Sequence, residues 1–424
     1  MKKSTGRALL FWTICIFLFH RPVHAQNPWK GTDYCTSGIE TVLAYPVGDP
    51  TSLPIVPLGN LGSLLFSFDD LYQRSNNLQY TWVLCYSDWS VGPQMSSEYL
   101  QGFLQEPLPT PQYSFNTYQP YSHFETRLPS ESMRPTRSGH YFLIVFDETP
   151  DEPLLVQRVI FYENVVTVAV QPHRPMAPDA MKTQQEVDAL VHLNGYSVPN
   201  PFQDFQLIFL QNNHWPDKPT RLPPRFVRAD VLDFNYDREN LFPGLNEFRE
   251  FDTKNSQVSS LFVRKWVLDS LWVAFVAQEP PRGLERYVSR TDIDGGRFIR
   301  RQGFNAATEA DYVWVDFALK DIEGTGHRQI AVVGSFNGFS PRPGDNLRFD
   351  PTQGFYTTRI KLKQGYYNYL YAEIVETGLD YGFTEGNQWE TDNSYTVLAV
   401  HREWNLRYDR VVGMSKTRSR RASF

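Results

Sequence analysis

Phe242-Pro243-Gly244-Leu245-Asn246-Glu247-Phe248-Arg249-Glu250-Phe251-Asp252 packs four charges and three phenylalanines into eleven residues. It is too aromatic for a loop and too charged for a simple core element. As a strand of period two, it places Glu247, Arg249 and Phe251 on one face and Asn246, Phe248, Glu250 and Asp252 on the other. Buried charge is tolerated when it is paired and hydrogen-bonded. The stretch therefore reads as a polar brace between layers or domains, with Glu247 and Arg249 as its pair, or as an active site. A brace or a site of this kind needs strands around it, and the flanking sequence supplies them.

Outward from this point the chain is a series of short apolar and aromatic runs separated by turn residues. Leu64–Phe68, Tyr80–Tyr86, Ser138–Phe146 and Leu154–Phe161 read as strands of a first sandwich, the last two as a hairpin. Val165–Val170, Ala189–Leu193 and Phe205–Asn213 open a second, and Phe205–Asn213 is apolar on both faces, which requires burial on two sides. In a third unit, Val313, Val315 and Phe317 alternate inward. Ile360 and Leu362 face a core while Arg359, Lys361 and Lys363 face water. Gln364-Gly365 turns into a returning strand with Tyr367, Tyr369 and Tyr371 on one face. Helix is expected only as short pieces near 96–103 and 181–188. The long connection from Ser87 to Ser130, dotted with tyrosines, reads as an interaction surface.

Lys2, Lys3 and Arg7 precede an apolar run ending at Phe19, and Val23-His24-Ala25 supplies small residues for cleavage between Ala25 and Gln26. That is a secretory leader. The run is too short to span a bilayer comfortably, and no later segment is a candidate helix span. Two cysteines remain in the mature chain, Cys35 and Cys85, and an oxidising compartment leaves two states open: one disulfide, or two buried free thiols. A formal net charge of −6 argues against nucleic acid as a partner.

The catalytic and metal templates fail one by one. Asp292-Ile293-Asp294-Gly295-Gly296 begins like a calcium loop but has Phe304 and Asn305 where acids should follow, so it reads as a turn at Asp294-Gly295. Gly334-Ser335-Phe336-Asn337-Gly338 is not a nucleophile elbow. His401 and Glu403 can pair, but two groups make no metal site. Nothing singles out a glycosidase pair of carboxylates. No cofactor or catalytic residue is expected.

An ordered set of motifs carries a resemblance. Asn246-Glu247-Phe248-Arg249 with Phe251-Asp252, Ala310-Asp311-Tyr312 with Val315 and Phe317, and Leu362-Lys363-Gln364-Gly365-Tyr366-Tyr367-Asn368-Tyr369 are similar to the plug proteins of the Bacteroidetes type IX secretion system. So are Ser138-Gly139-His140-Tyr141 upstream and Glu385-Gly386-Asn387 with Glu390-Thr391-Asp392-Asn393-Ser394-Tyr395 downstream. The resemblance implies a non-enzymatic periplasmic protein that plugs the periplasmic opening of a large outer-membrane translocon barrel. It implies no direct membrane span, no small-molecule ligand, and association with the outer membrane through the partner. Ile330–Phe339 also resembles early-set immunoglobulin modules that bind glycogen, with Phe339 at a position often held by Trp; this keeps a periplasmic or cell-surface glycan-binding protein as the alternative.

The expected fold is all-β: three tandem immunoglobulin-like or early-set β-sandwich domains with few helices. The expected spans are a leader at 1–25, sandwiches at 26–163, 164–308 and 309–413, and a disordered basic tail at 414–424. The signature residues are Asn246, Glu247, Arg249, Asp252, Asp311, Tyr312, Gln364, Gly365, Tyr367 and Tyr369.

Overall fold

The computed structural model describes residues 31–419 apart from 217, 218, 257, 261 and 325. The expected leader, its Ala25–Gln26 cleavage point and residues 420–424 of the tail lie outside the described residues. The chain is all-β and built from sandwiches, with three α-helices of one turn each among the described residues.

In the first unit, one sheet is ordered Tyr34–Cys35, Leu155–Tyr162, Gly139–Phe146, Gln79–Cys85, Glu106–Pro107. It faces a second sheet of Ile39–Pro46, Leu64–Asp70, Ser122–Leu128 and Gln112–Tyr113. Trp82, fully buried between them, meets Phe161 edge-on at 5.2 Å. The strand Gly139–Phe146 is apolar on both faces because both are covered. Tyr141, Leu143 and Val145 enter the first unit's core, while Phe142, Ile144 and Phe146 turn outward into a second apolar layer.

That second layer is shared. Ile208, Leu210, Leu398, Val400 and Val411 of the second unit meet it from the other side. Their neighbours Phe205, Leu207, Phe209, Tyr395, Val397 and Ala399 point the opposite way, into the second unit's own core. Period-two alternation thus serves two cores from one strand, and the first two units form a stack with a continuous apolar middle.

The strands do not divide into the three consecutive spans expected from the sequence. The sheet containing Phe205–Gln211 is completed by Ser394–Glu403 and Tyr408–Arg418, which follow the whole third unit. Arg249–Asp252 in turn pairs with Gly365–Val375 of the third unit rather than with the second. The chain leaves the second unit near residue 244, builds the third, and returns near 390 to close the second. An unpaired edge at Phe205–Gln211 is the physical reason, since its backbone groups need a ladder. Met414–Arg418 is accordingly paired strand, not disordered tail.

Gln364-Gly365 is also not a hairpin turn. Phe355–Lys363 pairs with Tyr312–Lys320 in one sheet, while Gly365–Val375 is the spine of the opposite sheet, flanked by Arg249–Asp252, Arg297–Ile299, Ile330–Val333 and Gly378–Asp380. The turn is a crossover between sheets. Gly365 is required there because a Cβ would stand 2.3 Å from the Phe298 carbonyl oxygen. Tyr367, Tyr369 and Tyr371 do share a face, but it is fully buried. The piece expected to be helical near 181–188 is largely strand, Gln184–His192.

Cys35 and Cys85 are both free, Cys35 exposed and Cys85 buried. Their strands are separated by two others in the same sheet, which at about 4.8 Å per strand sets the two strands about 14 Å apart, and the register adds a five-residue offset along the strands. A disulfide needs Cα atoms within about 7 Å.

Candidate functional site

The sequence signatures converge on the two places where the third unit is fastened to the others. The first is the double crossing between the second and third units. Outgoing residues 244–248 and returning residues 385–394 run side by side. Asn246 donates from Nδ2 to the Glu385 carbonyl at 2.8 Å, and Asn393 donates to the Gly244 carbonyl at 2.7 Å. Gln388 N donates to the Leu245 carbonyl at 2.8 Å, and Thr391 Oγ1 to the same oxygen at 3.0 Å. Gly244 is forced by this approach, since a Cβ there would lie 2.3 Å from the Gln388 carbonyl oxygen.

At the end of this crossing sits a buried ion cluster. Glu385, wholly inaccessible, receives Arg249 Nε at 3.0 Å, Arg282 Nη2 at 2.6 Å and the Tyr371 amide at 2.8 Å. Arg249 also reaches Glu279 at 2.6 Å and the Pro280 carbonyl at 3.0 Å. Its charge partners are therefore Glu385 and Glu279. The expected Glu247–Arg249 pair is replaced because Glu247 precedes the strand. Its carboxylate accepts instead from Tyr287 Oη and from the Asp392 amide. Burial pushes the Glu385 carboxyl up, but the two guanidinium groups more than reverse it and hold it below its ordinary value.

The second fastening joins the third unit to the first. Asp69, just past the end of the expected strand Leu64–Phe68, continues the strand Leu64–Asp70 and is buried. It accepts from Lys363 Nζ at 2.7 Å and Tyr312 Oη at 2.7 Å on one oxygen, and meets His123 Nδ1 at 2.7 Å on the other. Lys363, expected to face water, is buried here, and burial holds its ammonium below the ordinary lysine value. Asp311 binds the backbone amides of Tyr118 and Gln119 at 2.7 and 3.2 Å, pinning the long first-unit connection. Gln364 ties the same point inward, accepting from the Asp311 amide at 3.0 Å and donating to the Thr253 carbonyl at 3.0 Å. Asp252 takes Arg300 at 2.7 Å, and Tyr367 stacks on Phe251 at 5.1 Å.

Asp69, His123, Glu279, Arg282 and Glu385 were not singled out as charge partners from the sequence. The signal available for Asp69 was two acids directly continuing an apolar strand run. Asp292 belongs to the same ring of polar fastenings. It accepts the Phe248 and Asp294 amides at 2.6 and 2.8 Å, and burial pushes its carboxyl up to about 7. Asp294 and Gly295 both have positive φ, as the expected turn requires.

The carboxylates of both fastenings are spent on donors from other segments, which holds those segments together, while His123 Nε2 in the second is left without a hydrogen-bond partner. Phe339, at the position where sugar-binding modules often carry Trp, is half-buried and packs against Phe248 and His214. His173, Glu186 and Asp188 have metal-ligand spacing, but His173 Nε2 already meets Asp188 at 3.0 Å across adjacent strands, an ordinary ion pair. No described helix is long and apolar enough to cross a membrane.

Comparison with known proteins adds a family match over the first unit, and a fold. Residues 39–163 match the family model "Type 9 secretion system plug protein 1st domain". This is the family that the sequence motifs resemble. A crystal structure of a hypothetical protein from Parabacteroides merdae ATCC 43184 superposes with a TM-score of 0.85 at 24% identity, covering 91% of this chain and 98% of that one. At that identity it shows the fold, and the shared fold extends through all three units. A structure of Escherichia coli alpha-2-macroglobulin reaches a TM-score of only 0.15 and bears no weight. No curated protein matches the chain.

Proposed function

We propose that this chain, a type IX secretion component by its plug first domain, closes the periplasmic opening of the outer-membrane translocon barrel. The family match over residues 39–163 carries the reading. The architecture supports it in physical terms. A pore wide enough for folded cargo is sealed only by a body that does not deform. Two units here share an apolar layer, and the third is held by buried, multiply hydrogen-bonded charges. The protein acts by occupying space and by contact, without chemistry, from the periplasmic side of the outer membrane.

The test is affinity purification of the tagged full chain from envelope extracts in mild detergent, with mass spectrometry of what copurifies. A large outer-membrane barrel is expected as the dominant partner. Its absence from extracts in which the barrel is demonstrably present overturns the proposal.

A further inference from the structure

A cavity of about 310 Å³ opens along the seam between the first and third units. Its size suits one or two amino-acid residues, at the small end of ligand pockets. Leu43, Tyr45, Phe298 and Ile299 give it apolar walls, and two polar side chains in it are under-used.

The first is Arg297. Its guanidinium donates to the Val42 carbonyl at 2.6 Å and makes no ion pair among the described residues. Burial pushes it below the ordinary arginine value, yet arginine stays charged in proteins. The Glu40 carboxylate acts on it only from beyond ion-pair distance, and burial pushes that carboxyl up toward its neutral form, so the cation favours an incoming carboxylate, which guanidinium binds in a fork. The second is His123, only 7% exposed. Its Nδ1 faces the Asp69 carboxylate at 2.7 Å, so Nδ1 carries the hydrogen in the neutral ring. Nε2 is buried with no hydrogen-bond partner, and the Glu125 carboxylate is too far from it, at 3.8 Å, to form one. In that tautomer the free Nε2 lone pair is an acceptor that wants an N–H or O–H. Lys363 also lines the cavity, but its charge is spent on Asp69. Glu125, the remaining charged group in the lining, is half exposed.

We propose that this seam cavity binds the terminal residue of an acylated amino acid or polypeptide: a carboxylate on Arg297, the amide N–H on His123 Nε2, and an apolar side chain against Leu43 and Phe298. A bare inorganic anion fits less well, having neither the N–H nor the apolar part. The proposal stands apart from the barrel reading, because it needs only this chain.

The experiment is calorimetric titration of the full chain with N-acetyl-leucine, N-acetyl-leucine amide, acetate, and acetyl-Ala-Ala-Leu in free-acid and amidated forms. The free acids should bind at least about tenfold more tightly than their amides, the scale of one charge-assisted hydrogen bond, and acetate more weakly than N-acetyl-leucine. Binding of the tripeptide acid identifies a polypeptide terminus as a source. Binding of N-acetyl-leucine alone identifies a small acyl amino acid. Arg297→Gln should remove the acid-over-amide preference. Because Arg297 also supports the Val42 carbonyl, Leu43→Trp serves as a second variant, filling the cavity without touching the cation; with an unchanged melting curve it should abolish binding. Equal affinity for acid and amide, no binding of any probe, or full binding by folded Leu43→Trp overturns the proposal.

Discussion

Lys363→Met should unfasten the third unit from the first without disturbing either apolar core. The Met side chain fills the space of the lysine stem, so the loss is electrostatic. It leaves Asp69 buried with Tyr312 and His123 but without its 2.7 Å cation. Breaking a buried pair by removing one member costs about 3–5 kcal/mol. The penalty should fall in that range at pH 7. Urea unfolding reads the magnitude, and hydrogen exchange locates it, since the Tyr118 and Gln119 amides bound to Asp311 lie on the same seam. The double variant Lys363→Met/Asp69→Asn should recover most of the loss, because it removes the orphaned charge. A penalty below about 1 kcal/mol refutes the reasoning: the pair would then be solvated and the seam open in solution.

Arg249→Lys keeps a charge but loses the forked donor set shared by Glu385, Glu279 and Pro280; it should cost about 2 kcal/mol or more and lower the melting temperature. Glu385, held below its ordinary value, stabilises the fold above the unfolded pKa, and that contribution is lost as pH falls through the folded pKa; an acid titration of wild type against Arg249→Lys checks it. Asp292 has the opposite sign. Its folded pKa, raised to about 7 from 3.8, makes its contribution full at pH below 3.8 and steadily smaller as pH rises toward 7. Asp292→Asn should flatten the stability profile between pH 5.5 and 7 by on the order of 2 kcal/mol, measured by denaturant midpoints. Finally, alkylation of the unreduced native protein should label Cys35 slowly, because burial around its sulfur and the Glu40 charge push its thiol up, and Cys85 only after unfolding; an unreduced protein that resists alkylation at both cysteines even when unfolded would contradict two free thiols.

One two-faced strand was legible in the sequence because burial on both sides leaves an apolar run with few polar interruptions: Phe205–Asn213 announces that something covers each face, although not what. Ser138–Phe146 reads only as a turn and a strand, and its second covered face appears in the fold. The discontinuity of the second unit was hidden. Strand pairing between residue 205 and residue 401 has no local signature, and the spacing of turn residues near 250 and 310 looks the same whether a chain continues a sandwich or leaves it. Lys363 was misplaced for a related reason. It lies in register with Arg359 and Lys361, so period two assigns all three to water; only the first unit's sheet, arriving from residues 64–70, covers the last of them. Cys35 and Cys85 could not be judged until the order of strands placed two others between them.

The two kinds of joint in the molecule do different work. The apolar layer between the first and second units is strong but non-directional, and its register is set by the strands that cross from one core to the other. The third unit is held by Glu385 and Asp69, each a carboxylate surrounded by donors from separate segments. Such a node is worth little more than an apolar contact of the same size, but it is satisfied in only one arrangement. Sliding the third unit by a single residue would strand two buried carboxylates at once. On the proposed reading this matters more than stability. A closure whose units could shift against one another would leak around its own seams, so the polar joints specify the shape that the apolar layer makes rigid. Release of the pore would then proceed by departure of the whole body from its seat rather than by hinging of the third unit.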